Sequence, residues 1–337
     1  MAGKIRLADI AKQAGVSTAT VSRVLHDKST VAPDTRHAVL EALDLLGYER
    51  PEKLRKRSGG LIGMIVPELT NPIFPMFVQK LQTAMSMQGY TPLLGTQIAG
   101  SITEEAYVDA MIDHDVAGLV FVSGLHADSN ANLEHYARIT EKGIPYVTIN
   151  GANPNLAVPD FSCDDHFAAA LAVRHLIYLG HSQIGLATGP MRFRVAQAKS
   201  EAYLATMHRF LPHVTPMQEH TLYTVEGGQV AAASLLEQGC TAMIFASDVM
   251  ALGAVRYCQN IGLDVPRDIS IIGFDDSRLV AFTNPPLTTL HQPVKTMAET
   301  AVNTLINMVH GENLAISSMK FPPELVVRGS TGHCSKK

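Results

Sequence analysis

The sequence predicts an α/β protein with a small three-helix N-terminal head and a two-lobed body built on parallel sheets. Three observations carry this. Residues 1–48 hold three short apolar stripes at helical spacing, separated by turn residues. From residue 61 onward, short apolar runs alternate with helical stretches, the pattern of βαβ units. LIGMIVP at 61–67 is echoed by QIGLATGP at 183–190, and a similar train of units follows each. Two lobes meeting near residue 160, with a cleft between them, are the simplest arrangement.

In the head, Leu7, Ile10, Ala11 and Ala14 line one face of a first helix, which Gly15 ends because glycine tolerates the left-handed turn. Ser17 is placed to cap the next helix by accepting a backbone N–H. That helix puts Val21, Val24 and Leu25 on one face and Thr18, Ala19, Ser22 and Arg23 largely on the other. A third helix starts at Pro33, carries Ala38, Val39, Ala42, Leu43 and Leu46, and stops at Gly47. Residues 49–60, ERPEKLRKRSGG, read as a basic linker. In the body, strands are expected at 61–66, 91–95, 117–122, 145–149, 183–187, 242–246, 269–273 and 323–328. Helices are expected at 75–88, 103–113, 131–142, 165–179, 195–209, 227–237, 249–261 and 293–310.

Helix, glycine turn, capped helix is a helix-turn-helix. Residues Thr18 and Ala19 would face base edges, the hydroxyls of Ser17, Thr20 and Ser22 suit phosphate oxygens, and Arg23 has the fork that pairs with guanine. The competing reading is an ordinary helical hairpin with a solvated polar face; a third helix and a basic linker directly after it argue against that. Charge agrees. Residues 1–58 carry a net +4 and the remainder −8, so a polyanion partner belongs to the head alone.

Composition narrows the classes further. At 337 residues and 46% hydrophobic, the chain has material for two or three domains. No apolar run reaches the roughly 18 residues of a membrane span, and MAGKIRLADI lacks the apolar core of a signal peptide, so a cytoplasmic protein is expected. Cys163, Cys240, Cys258 and Cys334 are scattered, which indicates neither a disulfide framework nor zinc. His175, His181 and His291 are not in metal spacing, so no metal and no cofactor are expected. Glycine-rich phosphate loops, nucleophile elbows and HExxH are absent from the sequence, which leaves an enzyme without support. Asp275 and Asp276 do not form a facing acid/base pair, because neighbours in extended chain point to opposite sides. One carboxylate for a ligand and one for structure is expected. Asp248 follows strand 242–246 and serves either a ligand or the cap of the helix after it.

The run LADIAKQAGVSTATVSRVLHDKSTVAPDTRHAVLEALDLLGY resembles the headpiece of the lac/galactose repressor family. The likeness continues through IGMIVPELTNPIF, HLIYLGHSQIGLATGP, ASDVMALGAVRYCQNIGLDVPRDISIIGFDD, PPLTTLHQP and ELVVRGST, essentially the whole chain. ERPEKLRKRS and LYTVEGGQ look most like actinobacterial regulators of maltose and α-glucoside use. The resemblance implies a homodimer on pseudo-palindromic double-stranded operator DNA, each second helix in the major groove. It implies a hinge in which Leu54 wedges into the minor groove while Arg55, Lys56 and Arg57 meet phosphates. The linker here is shorter than the family's usual one.

For the body, the resemblance implies a likeness to periplasmic sugar-binding proteins, with an effector between the lobes. The lobes would comprise about 61–160 with 291–320, and about 161–290 with 321–331. Asn71, Ile73 and Phe74 would face the effector from the first lobe, with Phe74 stacking on it or lying in the core beneath the loop. Asn150 stands where relatives carry a carboxylate. Asp164, Ser247 and Asp275 complete the set. Relatives carry a ligand-binding arginine nine residues after the GP turn; here Lys199 stands there and lacks the planar fork, leaving Arg192 or Arg194 to substitute. The implied function is a repressor switched by a small carbohydrate, with maltose or another α-glucoside favoured. A polyol, nucleoside or sugar phosphate is the alternative effector. A solute-binding scaffold without a switch is the alternative body.

Overall fold

A computed structural model of the chain describes residues 6–26, 30–48, 59–97, 100, 102–312 and 317–335. The head is α1 (Leu7–Ala14), α2 (Thr18–Leu25) and α3 (Pro33–Leu45). Ile10, Val21, Val24, Val39 and Leu43 are fully buried at their junction, so the stripes read from spacing form one small core. Gly15 has φ 66°, and the N–H of Val16 returns to the Ala11 carbonyl at 3.0 Å, closing α1. Leu54, Arg55, Lys56 and Arg57 lie outside the described residues.

The first sheet begins with β1 (Leu61–Val66), β2 (Thr91–Thr96), β3 (Val116–Val122), β4 (Tyr146–Ile149) and β5 (Asp160–Cys163). Its helices are α4 (Ile73–Met87), α5 (Glu104–Asp113) and α6 (Glu134–Glu141). The second lobe opens with α7 (Asp165–Tyr178) and runs through β6 (Ile184–Thr188), α8 (Arg194–Phe210), β7 (Met217–His220), α9 (Val225–Glu237), β8 (Ala242–Phe245), α10 (Asp248–Asn260), β9 (Ser270–Asp275) and β10 (Thr288–His291). The chain then crosses back: α11 (Val294–Val309) packs on α4, and β11 (Ser318–Phe321) joins β5 at the first sheet's edge. It crosses again to β12 (Glu324–Val326), which pairs antiparallel with β10.

Strand orders are β11-β5-β4-β3-β1-β2 and β12-β10-β9-β8-β6-β7, all parallel except β12. Four strands, β5, β7, β10 and β11, were not expected from the sequence. Their polar residues hide them: in β5, Asp160 and Ser162 are buried because Thr148 and Ser162 both donate to the Asp160 carboxylate, at 2.9 and 2.5 Å. The echo between 61–67 and 183–190 has a packing cause. A Cβ at Gly63 would lie 2.5 Å from Leu119 and Met111, and one at Gly185 would lie 2.8 Å from Cys240 and Leu235. Each lobe's first strand therefore needs the smallest residue where neighbouring side chains press on it.

Parallel sheets covered on both faces expose their chemistry at the carboxyl ends of the strands, where the loops lie. Those ends of both sheets contribute to one cavity between the lobes. No helix among the described residues is long and apolar enough to cross a membrane.

Candidate functional site

The polar face of α2 is built as its spacing requires. The Ser17 hydroxyl accepts from the Thr20 N–H at 3.1 Å and lies 2.9 Å from the Thr20 hydroxyl, so these two residues hold the helix start. Thr18, Ala19 and Arg23 are exposed, and Thr20 and Ser22 half-buried, opposite the buried Val21 and Val24. The outward surface of α2 is thus short, polar and uncluttered, with one guanidinium.

The cavity between the lobes has a volume of about 280 Å³. Asn71, Ile73 and Phe74 reach it from the segment after β1 and the start of α4, Ser123 from the end of β3, and Asn150 from the end of β4. Lys199 faces it from α8, Ser247 from the end of β8, and Asp275 from the last position of β9. Ser123, Asn150 and Asp275 have φ of 46°, 60° and 120°, left-handed conformations that cost a non-glycine residue free energy. All three sit where a strand turns sharply to aim its side chain at the cavity.

Two residues expected at the cavity do not line it. Asp164 caps α7 instead, its carboxylate accepting from the Phe167 N–H at 3.0 Å; the next residue, Asp165, faces the cavity. The side chain of Arg192 lies 55% exposed at the rim, 3.4 Å from the Asp128 carboxylate and stacked 4.8 Å from the Phe193 ring centre. Its carbonyl accepts from the Ser129 N–H at 2.8 Å and the Ser129 hydroxyl at 2.7 Å. Arg192 therefore fastens the loop after β3 to the second lobe.

Inside the cavity, Lys199 donates to Asp165 at 2.6 Å, and its ammonium sits 3.4 Å from the centre of the Phe274 ring. Asp275 is buried and accepts from the Gln292 amide at 2.7 Å. Burial, with the Asp248 charge nearby, pushes its carboxyl well above the usual range. Asp276 faces the other way, to Arg328 at 2.6 Å and His291 at 3.1 Å. Ser247, not Asp248, caps α10, accepting from the Met250 N–H at 3.3 Å. Asp248 braces the floor: it accepts from the Ser277 N–H at 2.7 Å, the Ser277 hydroxyl at 2.9 Å and the Thr289 hydroxyl at 2.6 Å. Burial pushes its carboxyl up to about 6.

Several lining residues were not expected from the sequence. Tyr223 is the largest of them; a Cβ at Gly189 would lie 1.9 Å from its ring, so the glycine of the GP turn makes room for this aromatic face. Gln292, in LHQP, and Asp165, beside the expected Asp164, are the others of consequence. Among the described residues, three buried polar groups around the cavity are incompletely matched: the Nε–H of Arg194 and the hydroxyl proton of Tyr223 have no acceptor, and Oε1 of Gln292 has no donor. Such groups are rare in folded proteins and invite an explanation. Aromatic faces and planar polar side chains around one cleft, with unmatched polar atoms on three of its lining residues, suit a small ligand with apolar faces and hydroxyl edges. Among the described residues, no group of three or more His, Cys, Asp or Glu is arranged to hold a metal.

Comparison with known proteins agrees with this architecture. Residues 6–51 match bacterial regulatory proteins of the lacI family, and residues 173–331 match a periplasmic binding protein-like domain. The HTH-type transcriptional regulator MalR of Streptomyces coelicolor is 52% identical over 331 residues, spanning 97% of this chain and 96% of that one. The chain belongs to the lacI family. It is a DNA-binding transcriptional regulator with a helix-turn-helix head on a two-sheet α/β body. Among solved structures, a complex of the transcriptional regulator CelR with cellobiose has a TM-score of 0.73 at 26% identity, covering 97% of this chain and 100% of that one. The lac repressor dimer bound to operator and the anti-inducer ONPF has a TM-score of 0.71 at 26% identity, covering 97% and 99%.

Proposed function

We propose that this lacI-family regulator is a homodimeric repressor whose affinity for a pseudo-palindromic operator is switched by a small carbohydrate held between its lobes. Thr18, Ala19 and Arg23 read base edges in the major groove, and Ser17, Thr20 and Ser22 approach the backbone. Leu54, Arg55 and Lys56 take the hinge roles that the family resemblance implies. A protein that acts on chromosomal DNA works in the cytoplasm.

The observation that carries the effector half is the cavity of about 280 Å³, lined by aromatic side chains and by three residues with unmatched polar atoms. Phe74 and Tyr223 offer those faces to the C–H surface of a sugar ring, while Asn71, Asn150 and Asp275 present planar groups to its hydroxyls. Maltose or another α-glucoside is the ligand that the ERPEKLRKRS and LYTVEGGQ resemblances favour. The CelR structure with cellobiose supports a glucose-based disaccharide in a body of this shape. The switch is a population shift: a ligand that prefers one lobe arrangement changes the spacing of the two heads.

A thermal-shift screen with maltose, trehalose, glucose, polyols, nucleosides and sugar phosphates tests this. Ligand at 100 times its Kd stabilises by about 2.7 kcal/mol, a readily seen rise in Tm. A rise with maltose or another neutral sugar supports the reading. A rise only with nucleosides or sugar phosphates, or with nothing, contradicts it.

A further inference from the structure

Two cations line the cavity from α8, and the fold treats them differently. Lys199 is closed off: Asp165 holds its ammonium at 2.6 Å, the Phe274 ring lies against it, and its side chain is only 10% exposed. A ligand has to break an ion pair to use it. Arg194 is left open. It is the first residue of α8, where the positive end of the helix repels a cation, and no acidic residue stands in that first turn to offset it. Its Nε–H is buried with no acceptor, which costs free energy in the ligand-free protein. A guanidinium held against both costs, at the wall of a cavity, marks a group whose partner arrives with the ligand.

We propose that Arg194, and not Lys199, is the specificity-determining cation of this cavity, and that its partner is an oxygen of an uncharged polyhydroxyl ligand. This rests on the cavity being the effector site, as proposed above. The ligand class follows from the other unmatched groups. Tyr223 has a proton to give, and Gln292 Oε1 lacks a donor because the amide nitrogen of the same side chain is committed to Asp275. The three together ask for a molecule that accepts at two places and donates at a third. A sugar hydroxyl does both. A phosphate group mainly accepts at neutral pH, so it cannot itself be the group that meets Gln292. Arg194 thus orients a neutral sugar, whose hydroxyls can meet all three groups.

The test is calorimetric titration of the full chain with maltose, trehalose, glucose and glucose 6-phosphate, with Tm measured alongside. The variants are Arg194→Gln, Lys199→Met, and Arg209→Gln as a control cation at the exposed far end of α8. The parent is expected to bind a neutral sugar more tightly than glucose 6-phosphate. Arg194→Gln should weaken that sugar by about tenfold or more, the loss of a hydrogen bond to a charged group. Its Tm should match or exceed the parent's, since no described residue satisfies the Nε–H. Lys199→Met should lower Tm, because Asp165 is left unpaired. Arg209→Gln should change neither quantity. Parental sugar affinity in Arg194→Gln overturns the proposal. So does a fall in Tm as large as that of Lys199→Met, which would make Arg194 a structural residue. Tighter binding of glucose 6-phosphate than of any neutral sugar overturns the ligand class while keeping the cavity as a ligand site. A parent that binds none of the four overturns both the ligand class and the carbohydrate reading, and the Tm comparison then decides whether Arg194 is held open.

Discussion

The Arg328 guanidinium meets the Asp276 carboxylate at 2.6 Å, and this pair fixes the direction in which the preceding residue, Asp275, faces. Arg328 follows β12, the antiparallel strand added to the second sheet, and also donates to the Leu287 carbonyl at 2.9 Å. Asp276 has φ 56° and Asp275 φ 120°, so the backbone reverses sharply here. With Asp276 held outward by Arg328 and His291, Asp275 is turned into the cavity. The last described segment of the chain therefore reaches the centre of the candidate site through one ion pair.

Arg328→Met removes both contacts and leaves Asp276 partly buried with His291 as its remaining charged-group partner. The expected loss is about 2 kcal/mol of stability, smaller than for a fully buried pair. Urea unfolding of parent and variant checks it. An unchanged midpoint would show that the pair does not hold this turn.

Gly189→Ala introduces a Cβ that meets the Tyr223 ring at 1.9 Å. The ring has little room to give, since the half-buried Tyr223 packs against the second lobe's core beside the GP turn. Overpacking of this kind costs about 1–3 kcal/mol. The variant is expected to fold with a lower Tm and to bind its sugar more weakly, because the aromatic face is displaced. Parental values of both would mean that the ring is not fixed where the glycine makes room for it.

Arg23→Ala leaves the head's core intact, because Arg23 is exposed opposite Val21 and Val24. Operator binding should fall by about 1–3 kcal/mol per lost bidentate contact, and twice that in a dimer, with sugar affinity unchanged within a few-fold. DNA selected by the parent from a random pool serves as the probe in an anisotropy titration. Equal affinity in parent and variant would remove Arg23 from base reading.

Asp248 gives a pH dependence of defined sign. Burial holds its proton in the folded chain up to about pH 6, against an ordinary value of 3.8. The folded state therefore binds more protons than the unfolded one between those values, so this group's contribution to stability falls as pH rises through the window. A shift of about two units corresponds to about 3 kcal/mol. Stability of the parent relative to Asp248→Asn should decline from pH 4 to pH 6 and then level off. A difference that is flat across that range, or that rises, would show that the carboxylate stays ionised on the cavity floor.

Much of this site was legible from residue order because strands in parallel sheets end at the ligand-facing edge. Asn71, Ile73, Phe74, Asn150, Ser247 and Asp275 each stand at or just beyond a strand that its apolar run announced. Asp164 and Asp165 both follow β5, and spacing does not say which one caps α7; the first did, which turned the second toward the cavity. Tyr223 escaped because it follows β7, whose sequence MQEH has none of the alternation that marks a strand. β5, β10 and β11 escaped because DFSC, TTLH and SMKF each hold no more than two apolar residues, too few to announce a strand. The head was read closely because its three helices obey local rules that need no distant partner: a stripe at helical spacing, a Ser17 cap, and Gly15 at a left-handed turn. The unmatched atoms of Arg194, Tyr223 and Gln292 belong to tertiary structure, where polar satisfaction is first visible.

The central claim is that one chain couples a sugar between its lobes to DNA under its head. The most direct measurement is a pair of titrations: DNA affinity with and without saturating maltose, and maltose affinity with and without saturating DNA. Coupling between two sites is reciprocal, so both affinities should change by the same factor, typically about 5–150-fold. DNA affinity that maltose and every other neutral sugar of the panel leave unchanged, in a protein that binds one of them, would contradict the account.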